Sequence, residues 1–194
     1  MYQIKKKTKK QIFHGDLAHS LIQLAVMEIE ARGSIDFSLR DLSKKLGVSH
    51  AATYKHFKSK NDLLESIALQ GYLKLSAAFQ RSLNQPKKEL ESLGACYIEF
   101  ALQNSGYYRV MFGVKLDHEQ NKILHAASIE TFFILLDTIG KRNALNVKKA
   151  MFVWSVVHGW VMLRLEGQLS GLLDKFKTSE NEVEEFLKQA ASNI

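Results

Sequence analysis

Residues 37–64 read FSLRDLSKKLGVSHAATYKHFKSKNDLL, and the fold turns on this stretch. Ser38 followed three residues later by Asp41 has the form of a capping box and opens a short helix whose apolar positions are Leu39, Leu42 and Leu46. Gly47-Val48-Ser49 breaks that helix. Gly47 suits a left-handed turn position, Val48 plugs the core, and Ser49 caps a second short helix, His50 to Phe57. After Lys58-Ser59-Lys60-Asn61, where Ser59 is again a cap, a longer helix is expected to about Leu83, stopping before Pro86. Two short helices joined by a glycine-containing turn form the helix-turn-helix arrangement, whose second helix enters a DNA major groove.

Helical spacing sorts the residues of the motif. Leu42, Leu46, Val48 and Phe57 are core candidates. His50, Ala51 and Tyr54 project from the start of the second helix, where base edges would lie, and the adjacent small residues Ala51 and Ala52 allow close approach to the groove. Lys55, His56 and Lys60, with Ser38 and Arg40 from the first helix and Ser49 at the turn, complete the candidate DNA-binding set, which carries donors suited to phosphate oxygens.

The charge agrees with the motif. The 194-residue chain has a formal charge of +7 and is 46% apolar, enough for a real core, which excludes disordered and collagen-like classes. Residues 1–60 hold 12 Lys/Arg against 5 Asp/Glu, and residues 61–194 hold 15 of each, so the whole excess lies in the first third. A basic region on a neutral body is a surface for a polyanion. Part of it is an arm, Lys5, Lys6, Lys7, Lys9 and Lys10, which either follows the groove and phosphates or is a solvated tail. Membrane-surface binding would need bulky apolar residues opposite these lysines, and only Tyr2 and Ile4 are there.

Upstream of the motif, Leu17, Leu21, Leu24, Ala25 and Ile29 recur at helical spacing within Gly15 to Arg32, with Gly33 as the stop. Downstream, helices are expected at about 87–103, 106–113, 117–141, 147–169 and 179–192. The class is all-α, about nine helices and no sheet. The expected division is a flexible basic arm (1–13), a three-helix helix-turn-helix domain (14–60), a connecting helix (61–85) and a helical dimerisation and effector-binding domain (86–194). In helix 147–169, Trp154, His158, Val161 and Leu165 share one face, and Phe152, Val156, Gly159 and Leu163 another. A helix apolar on two sides is expected between its own body and a partner subunit, with Gly159 marking a close approach. The last helix, carrying Val183, Phe186, Leu187, Ala190 and Ala191, would supply the second layer of that bundle.

The run from His14 to Leu64, above all Gly47-Val48-Ser49, Tyr54-Lys55-His56-Phe57 and Lys60, resembles the N-terminal domain of TetR-family transcriptional regulators. The resemblance implies that His50, Ala51 and Tyr54, with Arg40, lie at base and nearby backbone contacts, and that Ser38, His56 and Lys60 hold phosphates. Thr53 departs from the pattern, since the family usually carries an apolar residue there. Trp154-Ser-Val-Val-His158-Gly159, together with Tyr97 to Ala101 and Asn104 to Phe112, resembles the C-terminal class named for its Trp-His-Gly motif. The resemblance implies an all-helical regulatory body that binds a small molecule, of unknown identity, between its helices. Candidate pocket residues are Phe100, Tyr107, Met111, Phe112, Ile129, Phe132, Phe133, Trp154, His158 and Met162, each of which taken alone reads first as simple packing. His158 on an apolar face reads first as a core histidine bonded to a carbonyl or a carboxylate such as Glu99 or Glu130.

No catalytic residues, metal site or cofactor are expected. His118 and His125 stand seven apart, too far for the i, i+4 pairing that grips zinc, and Cys96 has no neighbouring histidine. The lone cysteine and the lack of a charged-then-apolar leader point to a reducing cytoplasm. The sequence therefore predicts a cytoplasmic, homodimeric, DNA-binding regulator of transcription, a ligand-responsive repressor bound to a double-stranded operator of two-fold symmetry. The alternatives are a non-specific nucleoid-type DNA-binding protein and, more remotely, a small helical enzyme.

Overall fold

A computed structural model of the chain describes residues 17–84, 89–117 and 120–185. Among them there is no strand. The helices run α1 (Leu17–Arg32), α2 (Leu39–Leu46), α3 (His50–His56), α4 (Lys60–Leu83), α5 (Glu89–Gln103), α6 (Ser105–Gly113), α7 (Lys122–Ile139), α8 (Ala144–Leu165) and α9 (Ser170–Phe176). A tenth, α10, begins at residue 180 and continues to the end of the described residues.

Local chemistry sets the starts of α2, α3 and α4 in the same way. Ser38 Oγ accepts from the Asp41 amide, Ser49 Oγ from the Ala52 amide and Ser59 Oγ from the Asp62 amide, each at 3.1 Å. Each serine satisfies one of the amides that a helix start leaves without an intrahelical partner. Gly47 ends α2 at φ 69°, a left-handed conformation that costs glycine nothing. Leu21, Ala25 and Ile29 of α1, fully buried, meet Leu42 of α2 and Phe57 beyond α3, so three short helices close around one small core. Leu46 and Val48, expected in that core, are only half-buried at its edge.

α4 is the spine. Its 24 residues span about 36 Å. Leu64, Ile67, Ala68, Gly71, Tyr72, Leu75 and Phe79 form a continuous buried stripe at helical spacing, against which α5, α6 and α7 pack. α8 closes the far side of the body against α5 and α7.

Several expected boundaries move. The helix expected from 117 starts at Lys122, because Asp117 Oδ1 caps a turn at the Gln120 amide and Asn121 Oδ1 then accepts from the Leu124 amide. The helix expected from 147 starts three residues earlier, capped by Asn143 Oδ1 on the Asn146 amide, and ends at Leu165 rather than 169. Residues 171–178, read as a connection, include the short helix α9, anchored by buried Leu169 and Leu173 and ended by Lys177 at φ 52°. α10 begins one residue later than expected, and Phe186, Leu187, Ala190 and Ala191 lie outside the described residues, as do the lysine arm, His14 to Asp16 and His118.

Candidate nucleic-acid interface and body cavity

α3 presents His50, Ala51, Tyr54, Lys55 and His56 to solvent and buries Thr53 completely. The buried hydroxyl of Thr53 has a polar counterpart: Thr53 Oγ1 lies 2.8 Å from Ser43 Oγ, which lies 2.7 Å from the Leu39 carbonyl. A polar pair thus fills the α2–α3 contact where an apolar side chain was expected. Tyr54 remains 49% exposed, an aromatic ring standing off a helix that has no acidic residue.

The cations around α3 divide into free and engaged groups. Arg40, Lys44, Lys55 and Lys58 are exposed. Lys45 is paired with Glu28 at 2.5 Å, and Arg32 bridges the same carboxylate at 3.1 Å; the Lys45 contact is the main reason the Glu28 carboxyl titrates below its usual range. Lys60, a candidate phosphate contact, is half-buried and already engaged. Its ammonium donates to the Ile35 carbonyl at 2.6 Å and sits 4.7 Å from the centre of the Phe37 ring, tying α4 to the α1–α2 connection. Ser38 and Ser49 are exposed at their helix starts, where they serve as caps.

A cavity of about 470 Å³, open to solvent on one side, lies between α4, α5, α6, α7 and α8. Of the pocket candidates, the structure brings Phe112, Ile129, Phe132 and Trp154 to its wall. Phe100, Tyr107 and Met111 are buried in packing contacts outside it. Phe133 lies under the Arg142 guanidinium, 4.0 Å from the ring centre. Sequence reasoning missed the contributions of α4 and α5, Tyr72, Phe79, Leu93 and Tyr97 among them; the only signal was that Tyr97 lies in the stretch quoted for the family resemblance.

Beside the cavity wall, His158 Nδ1 lies 2.8 Å from both Tyr97 and Tyr108 hydroxyls, which are 3.2 Å from each other. Trp154 Nε1 donates to the Tyr97 hydroxyl at 3.2 Å. The histidine's partners are therefore tyrosines, not the carbonyl or the carboxylate, such as that of Glu99 or Glu130, expected from sequence. With Nδ1 as acceptor on a neutral imidazole, the two hydroxyl protons satisfy two of the three edges of this triangle at a time. Burial pushes the His158 pKa below its ordinary value and raises those of Tyr97 and Tyr108.

α6 joins this network to the first helices. Phe112 at its C-terminal end lines the cavity, and Tyr108 sits in the triangle. Tyr107 accepts from Gln23 Nε2 of α1 at 2.9 Å, and Gly106 lies so near α1 that a Cβ there would stand 2.7 Å from the Val26 carbonyl oxygen. Arg109 donates to the Leu165 carbonyl at 2.8 Å and pairs with Glu166, fixing α6 to the end of α8. Phe152 and Leu163 on the outer face of α8 are 58% and 48% exposed, and the space beside Gly159 is open.

A helix-turn-helix with an exposed second helix, set on an all-helical body with an aromatic cavity, defines a DNA-binding regulator. Residues 21–67 match the family described as bacterial regulatory proteins, tetR family, and residues 90–186 match the tetracyclin repressor-like C-terminal domain. The chain belongs to the TetR family of DNA-binding transcriptional regulators. It is 26% identical over 181 residues to the nucleoid occlusion factor SlmA of Vibrio vulnificus, covering 91% of this chain and 87% of that one. It is 26% identical over 153 residues to YobS, an HTH-type transcriptional regulator of Bacillus subtilis, covering 76% and 78%. A solved structure of a protein of unknown function from Rhodococcus sp. RHA1 superposes with a TM-score of 0.71 at 26% identity, covering 94% of this chain and 97% of that one. Among the described residues no single helix is long and apolar enough to cross a membrane, and no cluster of three or more His, Cys, Asp or Glu side chains is placed to hold a metal ion.

Proposed function

We propose that this regulator is a ligand-responsive repressor that works as a homodimer, in the cytoplasm, on an operator of two-fold symmetry. The observation that carries this reading is the course of α6, which touches the cavity at Phe112 and α1 at Gly106. A molecule in the cavity presses on the same rigid element that supports the helix-turn-helix. α3 reads the major groove through His50, Ala51 and Tyr54, while Arg40, Lys55 and His56, with the Ser38 and Ser49 ends of α2 and α3, take the flanking backbone. Lys60 contributes the two ammonium protons not bonded to Ile35.

The second copy docks on the outer face of α8, where Phe152, Val156, Gly159 and Leu163 form an apolar strip, with α10 beside it. Two heads on one dimer convert the second half-site contact into an intramolecular event, which raises affinity without new contacts. Ligand acts by population shift: it must bind the arrangement whose head spacing fits the operator less well. The helix-turn-helix unit (14–60), connecting helix (61–85) and effector body (86–194) divide these tasks, and the body falls in the Trp-His-Gly class through Trp154, His158 and Gly159. No step of this cycle calls for a cofactor or for bond-making chemistry.

A second reading, a nucleoid-type protein with broad DNA binding, draws on the name of the Vibrio relative. Selection of bound fragments from genomic DNA at 150 mM salt separates the two. A few enriched palindromic sites support the repressor, and equal retention of all fragments supports the nucleoid reading.

A further inference from the structure

We propose that the body cavity selects an uncharged, largely aromatic small molecule, and that Gly94 sets its depth. This rests on the effector reading above and gives that effector a chemistry. Among the described residues, none that lines the cavity is Asp, Glu, Lys or Arg. His125, the one residue of the lining that can carry positive charge, is exposed to solvent. The hydroxyls of the wall are already engaged: Thr131 donates to the Ala127 carbonyl at 2.8 Å, Ser128 to the His125 carbonyl at 2.8 Å, and Tyr72 to the Met111 carbonyl at 3.3 Å. Tyr97 is held by Trp154, Tyr108 and His158. Burial holds the Tyr72 phenol at about 12 and raises Tyr97 as well, so neither supplies an anion near neutral pH.

A charged ligand seated against this wall sheds part of its hydration and finds no opposite charge among the described lining residues. An apolar one meets the rings of Phe79, Tyr97, Phe112, Phe132 and Trp154, whose faces and edges favour aromatic partners. The volume lies within the roughly 300–1,000 Å³ typical of small-molecule pockets. Gly94 explains part of that volume. It sits inside α5, where glycine is a poor helix former, yet a Cβ built there meets nothing within 4 Å. No neighbour requires a glycine; what its missing side chain provides is room.

The test is direct binding of three matched probes to the full chain at pH 7, read by tryptophan fluorescence and calorimetry: 2-naphthalenemethanol (neutral), 2-naphthoate (anionic) and 2-naphthylmethylammonium (cationic). The neutral probe is expected to bind at least about tenfold more tightly than either ion. Gly94→Leu, which fills open space, should keep the helical circular dichroism signal and lose at least about tenfold in affinity, with Gly94→Ala, one methyl, falling between. Either ion binding as tightly as the alcohol, no binding of the alcohol, or unchanged binding by a folded Gly94→Leu overturns the proposal. Should Gly94→Leu not fold, Gly94→Ala decides alone, and undiminished binding by it overturns the proposal. DNA affinity measured in the same titrations tests the effector reading separately: a neutral probe that binds in the cavity and leaves DNA affinity unchanged sinks that reading and leaves the cavity's selectivity standing.

Discussion

The hydroxyls of Ser43 and Thr53 lie 2.8 Å apart between α2 and α3, and neither side chain reaches solvent. The pair fixes how the reading helix sits on its support. Ser43→Ala should cost about 1–2 kcal/mol, because it leaves the Thr53 hydroxyl without this buried partner, and Thr53→Val less, because the Ser43 hydroxyl keeps the Leu39 carbonyl. The double variant should cost less than the sum. Urea unfolding of the four proteins in the cycle measures this, and strict additivity would show that the hydroxyls do not interact.

Lys55 and Lys60 should behave differently although both are basic and near the same groove. Lys55→Ala should weaken binding to all DNA sequences alike, reduce the slope of log affinity against log salt by about 1, and leave the melting temperature unchanged. Lys60→Ala should lower the melting temperature too, since it removes the bond to Ile35 and the contact with Phe37. Equal melting curves for the two variants would mean the Lys60 contacts contribute no stability. His50→Ala and Tyr54→Ala should instead change which operator is preferred.

The buried imidazole has a pH signature. His158 has a folded pKa below its ordinary 6.5, so under mildly acidic conditions the unfolded chain takes up a proton that the folded chain refuses. Stability from this group is complete above pH about 6.5 and declines as pH falls below it. The carboxyls of Glu28, Asp41, Asp137 and Glu182 are lowered from ordinary values of 4.5 or 3.8, and so act at more acidic pH. Chemical denaturation between pH 7 and 5 should show the decline, and His158→Gln should flatten it.

Gly106→Ala places a methyl against the Val26 carbonyl and the Glu30 side chain, and backbone cannot yield cheaply there. A loss of about 1–3 kcal/mol is expected. The variant should also bind DNA with altered affinity, measured by anisotropy, because α6 is pushed from α1. Wild-type DNA binding in a destabilised variant would mean that this contact is structural only.

Phe152→Glu with Leu163→Glu should yield monomers in sedimentation at micromolar concentration and weaken operator binding, while the circular dichroism stays helical. Both side chains are already largely exposed in the single chain, so the change has little to disrupt within it.

The sequence was most legible where structure is local. Ser38, Ser49 and Ser59 announce three helix starts because a cap acts over three residues, and Gly47 marks its turn for the same reason. α9 escaped because Gly167 and Gly171 flank and enter it, while the burial of Leu169 and Leu173 that holds it is a tertiary contact. The cavity was only partly legible. Ile129, Phe132 and Trp154 look like core by spacing, and so do Phe100, Tyr107 and Met111; only the packing of α5 against α4 and α8 decides which of them borders the open volume. His158 was recognisable as a core histidine, yet its partners stand 61 and 50 residues away in Tyr97 and Tyr108, beyond anything that spacing on one helix can register.

Arg109 holds α6 to the end of α8 while Gly106, three residues before it, rests on α1. One nine-residue helix is thus shared by the groove reader, the cavity and the outer helix. In the proposed cycle, coupling through it runs both ways: whatever factor a ligand takes from operator affinity, operator takes from ligand affinity. A cell carrying more copies of the operator would therefore need more of the molecule to clear them, and the protein's sensitivity becomes a property of the genome around it.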